Sequence, residues 1–224
     1  MKQIALLINF FLLITLLFNQ NKLKFSADSA ESSKENNITS KIFKDNVKII
    51  DNSRVLYTDK AIQYPGLNKV TLIGNVRMYE KNDSLLCDEL SIFKDDIEKY
   101  EARGNVEFYK EKKEIKSQNL IYITSNKNIS ANTNISIKDS LRTIYGDSLE
   151  IIYNQDIIDF ITIKSNAKLF NNRFIKYLET NEQRQIQDKM EANNIKISFT
   201  LDETIENILL NGMAIADFSM IKDS

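Results

Sequence analysis

The 224-residue chain has no histidine, no tryptophan, one cysteine (Cys87), one proline (Pro65) and five glycines. Without histidine or a second cysteine, neither a disulfide framework nor a His/Cys metal site can be built. Counting alternate residues along its strand puts Cys87 on the solvent side. With little glycine or proline, the turns fall to Asn, Asp and Lys, as in Lys94-Asp95-Asp96 and Asn126-Lys127-Asn128, residues that tolerate the left-handed conformation or cap their own turns. Excess charge of one sign is also missing. Lys2, Lys22 and Lys24 are three of the 30 basic side chains, so the residues after 27 carry 27 against 31 acids, a net of −4. That balance argues against nucleic acid and against an electrostatic grip on an anionic ligand.

What is present is alternation. In Tyr100–Tyr109 the even positions Tyr100, Ala102, Gly104, Val106 and Phe108 are apolar or small, and Glu101, Arg103, Asn105 and Glu107 are polar. This is the period of a half-buried β-strand. The pattern recurs at Val70–Met78 and Ile129–Ile137, and Asn46, Asn75, Asn105 and Asn134 are spaced 29, 30 and 29 apart. A second strand follows each template: Asp59, Asp88, Gln118 and Asp147 keep the same spacings, each with an apolar residue two positions on. Two landmarks sharing one period make this a repeat protein of two-strand units of about 30 residues. Asn193, with Ile195 and Ile197, reads as a fifth copy delayed by an insertion between Asn172 and Asp188, about residues 173–188.

Lys2 and the apolar run Ile4–Phe18 suit an export signal, too short to span a bilayer comfortably. Residues 1–27 are therefore expected to be a signal peptide or a retained N-terminal membrane anchor. Residues 28–41, small and polar, are expected to be a flexible linker, and 42–221 one all-β domain with a sizeable core. A unit of this size cannot bury its apolar face alone but stacked units can. The expected architecture is an elongated antiparallel sheet, folded over on itself or wound as a solenoid, with a continuous apolar interior.

The segments Ile73-Gly74-Asn75-Val76, Ala102-Arg103-Gly104-Asn105-Val106 and Cys87-Asp88-Glu89-Leu90 resemble the A-x-G-N-V and A-D-x-L signatures of the OstA-like family. That family comprises the periplasmic lipopolysaccharide-transport proteins LptA and LptC and the N-terminal domain of LptD. The resemblance covers about Asn46 to Phe218, and departs from the pattern at Thr133 and Lys164, where glycine is expected, and at Gln118 and Asn193, where aspartate is. It implies a β-jellyroll with an apolar groove in the periplasm, one section of a bridge carrying lipopolysaccharide between membranes. The implied partners are lipid A acyl chains, other bridge components and further copies of the chain, joined through edge strands; no cofactor, metal or catalytic step is implied.

The inward parity assigns the groove to Val76, Met78, Leu90, Ile92, Val106, Phe108, Leu120, Tyr122, Ile135, Ile137, Leu149 and Ile151. Burying a methylene is worth about 0.8 kcal/mol, so an acyl chain needs such a dry trough. Phosphorylated headgroups would then stay in solvent. Asp59, Asp88 and Asp147, one per unit at a strand start, are expected to satisfy turn amides, and Gly74, Gly104 and Gly212 to mark bends. Two rival functions remain: a structural, filament-forming β-solenoid without lipid, whose mark would be a closed, side-chain-filled interior, and a carbohydrate-active enzyme. The enzyme needs clustered acids and bases on an outward face, where Glu89, Asn119, Ser148 and Asn194 offer a single carboxylate.

Overall fold

The computed structural model describes residues 23–218, apart from 111, 155–156, 177–182 and 203. Among these residues fourteen strands form one antiparallel sheet. They are β1 (Lys24–Ser26), β2 (Ser29–Glu35), β3 (Ile38–Asp51), β4 (Arg54–Tyr64), β5 (Lys69–Glu80), β6 (Asp83–Lys94) and β7 (Glu98–Lys110), then β8 (Lys113–Ile123), β9 (Ile129–Lys138), β10 (Arg142–Asn154), β11 (Ile157–Lys176), β12 (Gln183–Phe199), β13 (Ile205–Asn211) and β14 (Ile215–Asp217). From β3 to β13 every strand pairs with its sequence neighbours. Each end of this series carries two short strands. β1 and β2 lie along the two halves of β3, and β13 and β14 along the two halves of β12.

The register breaks near the middle of the long strands, and each time one strand carries one residue more than its partner, two facing one or three facing two. Gly74-Asn75 oppose Asp88, Gly104-Asn105 oppose Gln118, Thr133-Asn134 oppose Asp147 and Ser165-Asn166 oppose Asn193. Both residues of each pair have positive φ, for example 72° at Gly104 and 44° at Asn105. Such bulges bend the strand sharply. Two extra residues preserve the inward parity of a template strand, and one extra residue reverses it on the Asp strand. On β6 the inward positions are therefore Leu85 and Cys87 before Asp88, and Leu90 and Ile92 after it.

Cys87 is thus in the core rather than on the solvent side, because the bulge at Asp88 shifts the alternation. Burial pushes its thiol up to about 12.

The bend is fastened by the repeat landmarks themselves. The side-chain amide of Asn75 donates to Asp59 (2.8 Å), Asn105 to Asp88 (2.9 Å), Asn166 to Asp147 (2.7 Å) and Asn46 to Asp28 (2.7 Å). The aspartates therefore accept from asparagine side chains on the neighbouring strand, where turn amides were expected. Glycine precedes Asn75 and Asn105 for two reasons. Its φ is positive, and a Cβ there would run into the Asp59 or Asp88 carboxylate.

Several expected boundaries fall elsewhere. Lys24–Ser26, inside the 1–27 segment, pairs with β3, and Phe25 stacks on Phe43 at 4.4 Å; residues 1–22 lie outside the described residues. The 28–41 segment forms β2 and the start of β3, with Asp28 serving as the first bend aspartate. The insertion at 173–188 prolongs the β11–β12 hairpin, whose pairing runs on to Lys176 and Gln183. There Arg173 holds the buried Asp188 at 2.8 Å. The left-handed pair of that unit is Ser165-Asn166, one position later than the spacing places it at Lys164.

Bent along this line, the sheet doubles over, and its two borders meet. Arg54, opening β4, makes two hydrogen bonds to the Glu98 carboxylate that opens β7 (3.0 and 3.1 Å), and Lys94, closing β6, holds Asp51 of β3 at 2.7 Å. Neither pair belongs to neighbouring strands. The fold is an all-β antiparallel jellyroll closed along a charged seam.

Candidate functional site

The doubled sheet encloses one uninterrupted apolar interior. In the half of each strand nearer β4's end, cross-strand pairing lines up Ala61, Leu72, Leu90, Ala102, Leu120 and Ala131. The row continues through Leu149, Ile163 and Ile195 to Leu210 of β13. The facing half carries Ile49, Leu56, Met78, Leu85, Phe108 and Ile115, and then Ile137, Ile144, Leu169 and Met190. In the first row Ala61, Ala102 and Ala131 stand beside leucines, and from Leu149 onward every position is large. Leu90, Ile151, Ile163 and Ile195 are 0% exposed.

All twelve residues assigned to the groove from sequence lie on this interior face, eleven buried and Tyr122 half-buried. The structure brings them together as packing partners. Leu56, Leu85, Ile115 and Ile144, equally interior, escaped the alternation reading because each precedes the one-residue bulge of its strand. The signal was available: apolar residues change phase at Asp59, Asp88, Gln118 and Asp147.

Tyr122 lines a gap in the seam. A cavity of about 200 Å³ lies between the borders, with Met78, Phe108 and Tyr100 on its apolar side and Arg54, Glu98 and Lys110 on its charged side. Arg54 lies over the Tyr100 ring at 5.5 Å and Lys110 over Tyr122 at 5.5 Å, cation–π contacts that let charge border an aromatic floor. Burial raises the Tyr122 hydroxyl pKa and Lys110 partly offsets it, so the phenol is neutral at ordinary pH. Among the described residues the buried Tyr100 hydroxyl has no hydrogen-bond partner.

Among the described residues the side chains that flank the interior at its ends are less buried than those along it. Leu23, Phe25, Ala27 and Phe43 at one end, and Ile205, Ile208 and Leu210 at the other, are only partly buried while packing on the core. Past the second end, Leu209, Met213, Ile215 and Phe218 are more than half exposed.

The outward row runs Glu89, Arg103, Asn119, Asn132, Ser148, Lys164 and Asn194. Arg103, Asn132 and Lys164 were absent from the sequence-derived set, which counted one strand per unit; the row still has a single carboxylate. Among the described residues no three His, Cys, Asp or Glu side chains gather as a metal site. No helix among them is long and apolar enough to cross a membrane.

No protein-family profile and no curated protein matches the chain. One solved structure to which it is similar is LptH of Pseudomonas aeruginosa, the LptA-homologous periplasmic component of the lipopolysaccharide transport device. The alignment covers 75% of this chain and 95% of that one, at 11% identity and a TM-score of 0.27. An overlap at that level carries no argument, and the jellyroll assignment rests on the strand pairing of this chain alone.

Proposed function

We propose that the chain is a periplasmic carrier of lipopolysaccharide acyl chains and one section of a bridge between two membranes. The observation that carries this reading is the unbroken apolar interior, continuous across β3 to β13, with side chains only partly buried at both ends among the described residues. Its physics suits the task, since a long acyl chain loses on the order of 10 kcal/mol by leaving such a trough for water. The motif resemblance of Asn75, Asn105 and Asp88 supports the same reading.

Acyl chains would enter by parting the seam, because the interior side chains are packed on one another. Further sections, or copies of this chain, would join by pairing the outer edges of β1–β2 and β13–β14. Such contacts are heterologous and extend head to tail.

One observation favours the alternative of a structural β-solenoid without lipid: the groove residues are already buried to 7% exposure or less apart from Tyr122. Photo-crosslinking in cells separates the two. A photoreactive residue replaces Phe108 or Leu120 inside, and Glu107 or Gln118 outside. Lipopolysaccharide adducts at the inner pair alone are expected. No adduct at either inner position, in a folded and exported protein, would leave the structural reading standing.

A further inference from the structure

The interior changes character at its N-terminal end. The inward row that runs through Ile151, Ile129, Tyr122, Tyr100, Ile92 and Val70 is apolar until it reaches Gln63 and then Lys41 of β3. Here a depression of about 560 Å³ opens. Its floor is Leu23, Val70 and the stacked pair Phe25 and Phe43. Its charged lining is basic, Lys41, Lys69 and Lys94 beside the neutral Gln63, Tyr64 and Asn68, with no carboxylate among the lining residues.

The three lysines differ in what holds them. Lys94 is committed to the seam, 2.7 Å from Asp51. Lys69 lies over the rings of Phe93 (5.1 Å) and Tyr64 (6.0 Å), an apolar setting for an ammonium. Among the described residues neither Lys41 nor Lys69 has a carboxylate within ion-pair distance, although the chain beyond residue 27 is net acidic. A local positive rim above an aromatic and aliphatic floor is complementary to one chemistry, an anionic group attached to a hydrocarbon chain.

We infer that this depression is a headgroup site for an anionic amphiphile, its phosphate or carboxylate at Lys41 and Lys69 and its chain on Phe25 and Phe43, leading into the interior. The inference deepens the carrier reading, since it assigns the end at which an amphiphile is seated and the charge it must have. Composition hides the site, because three lysines contribute almost nothing to a net charge summed over the chain.

The test uses the full chain and soluble single-chain probes below their micellar concentration: dodecyl phosphate, dodecyl maltoside and inorganic phosphate, followed by calorimetry. Dodecyl phosphate is expected to bind at least about tenfold more tightly than either of the others. Lys41→Glu with Lys69→Glu should abolish that preference while leaving the thermal midpoint unchanged. Phe43→Ala should weaken both dodecyl probes, and Lys24→Glu, an outward charge at the same end, should change nothing. Displacement of dodecyl phosphate by lipid A or by phosphatidic acid supports the site and identifies its source. Displacement by neither, equal affinity for the phosphate and maltoside probes, or an unchanged preference in the double lysine variant overturns it. If crosslinks at Phe108 fail while this preference holds, the headgroup site survives and the carrier reading falls; the reverse result separates them the other way.

Discussion

The bend and the seam run along opposite sides of the folded sheet, and different interactions hold them. At the bend, Asn75–Asp59 and Asn105–Asp88 join residues 16 and 17 apart, on adjacent strands, in solvent, and the same bond recurs at Asn46 and Asn166. At the seam, Asp51–Lys94 and Arg54–Glu98 join residues 43 and 44 apart, on strands that do not touch as a ladder. Asp51 is 2% exposed there. An exposed amide–carboxylate bond contributes about 1 kcal/mol, whereas removing a buried carboxylate takes the nearest partner from two part-buried cations and leaves Glu98 to both. The difference teaches that the fold line is repeated and locally redundant, while closure depends on a few contacts that have no copies.

Removing Asp51 should sharpen that contrast most. Asp51→Ala is expected to cost about 3 kcal/mol in urea unfolding, since Arg54 and Lys94 lose their nearest partner; a loss under about 1 kcal/mol would mean that the seam is not a fastening. At the bend, Gly104→Ala should cost about 2 kcal/mol, from positive φ and the clash with Asp88. Truncating the clashing carboxylate, as Asp88→Ala in the same chain, should recover part of that loss; no recovery would assign the cost to φ alone. The middle unit offers the opposite change. Thr133 is β-branched at φ 66°, so Thr133→Gly should stabilise by about 1 kcal/mol in thermal unfolding, and a decrease would show that its side chain is needed there. Lys116→Ala should leave the urea midpoint unchanged within error, because its ion pairs with Glu107 and Glu114 are exposed.

The buried thiol adds a pH test of the interior. Its pKa is raised from 9.0 to about 12 by burial, so the folded state keeps a proton that the unfolded chain releases. Stability should therefore fall as pH rises from about 9 toward 12, and this part of the slope should vanish in Cys87→Ala.

Much of the fold was legible because its information is periodic. Spacings of 29 and 30 residues located the units, and the template strands gave the right inward face because a two-residue bulge leaves parity intact. The Asp strands were legible only after their bulge, which is why Cys87 was misplaced and Leu85 overlooked. The β11–β12 extension was hidden for a similar reason: its residues, such as Arg173, Gln187 and Asp188, are polar enough to resemble a loop, yet pairing in a long hairpin holds them as strand. Short polar β2 was read as linker because its seven residues are all exposed, and exposure on both faces leaves no alternation to detect.

By itself, then, the sequence determined the strand repeat, the polarity of each face and the position of the bend, since each is set by residues within one unit and its neighbour. Tertiary structure alone decided where the borders meet, that Arg54 finds Glu98, and that Lys41, Lys69 and Lys94 share one mouth with Phe25 and Phe43. Those juxtapositions depend on how far each bend turns the sheet, an angle summed over several strands that no local spacing records.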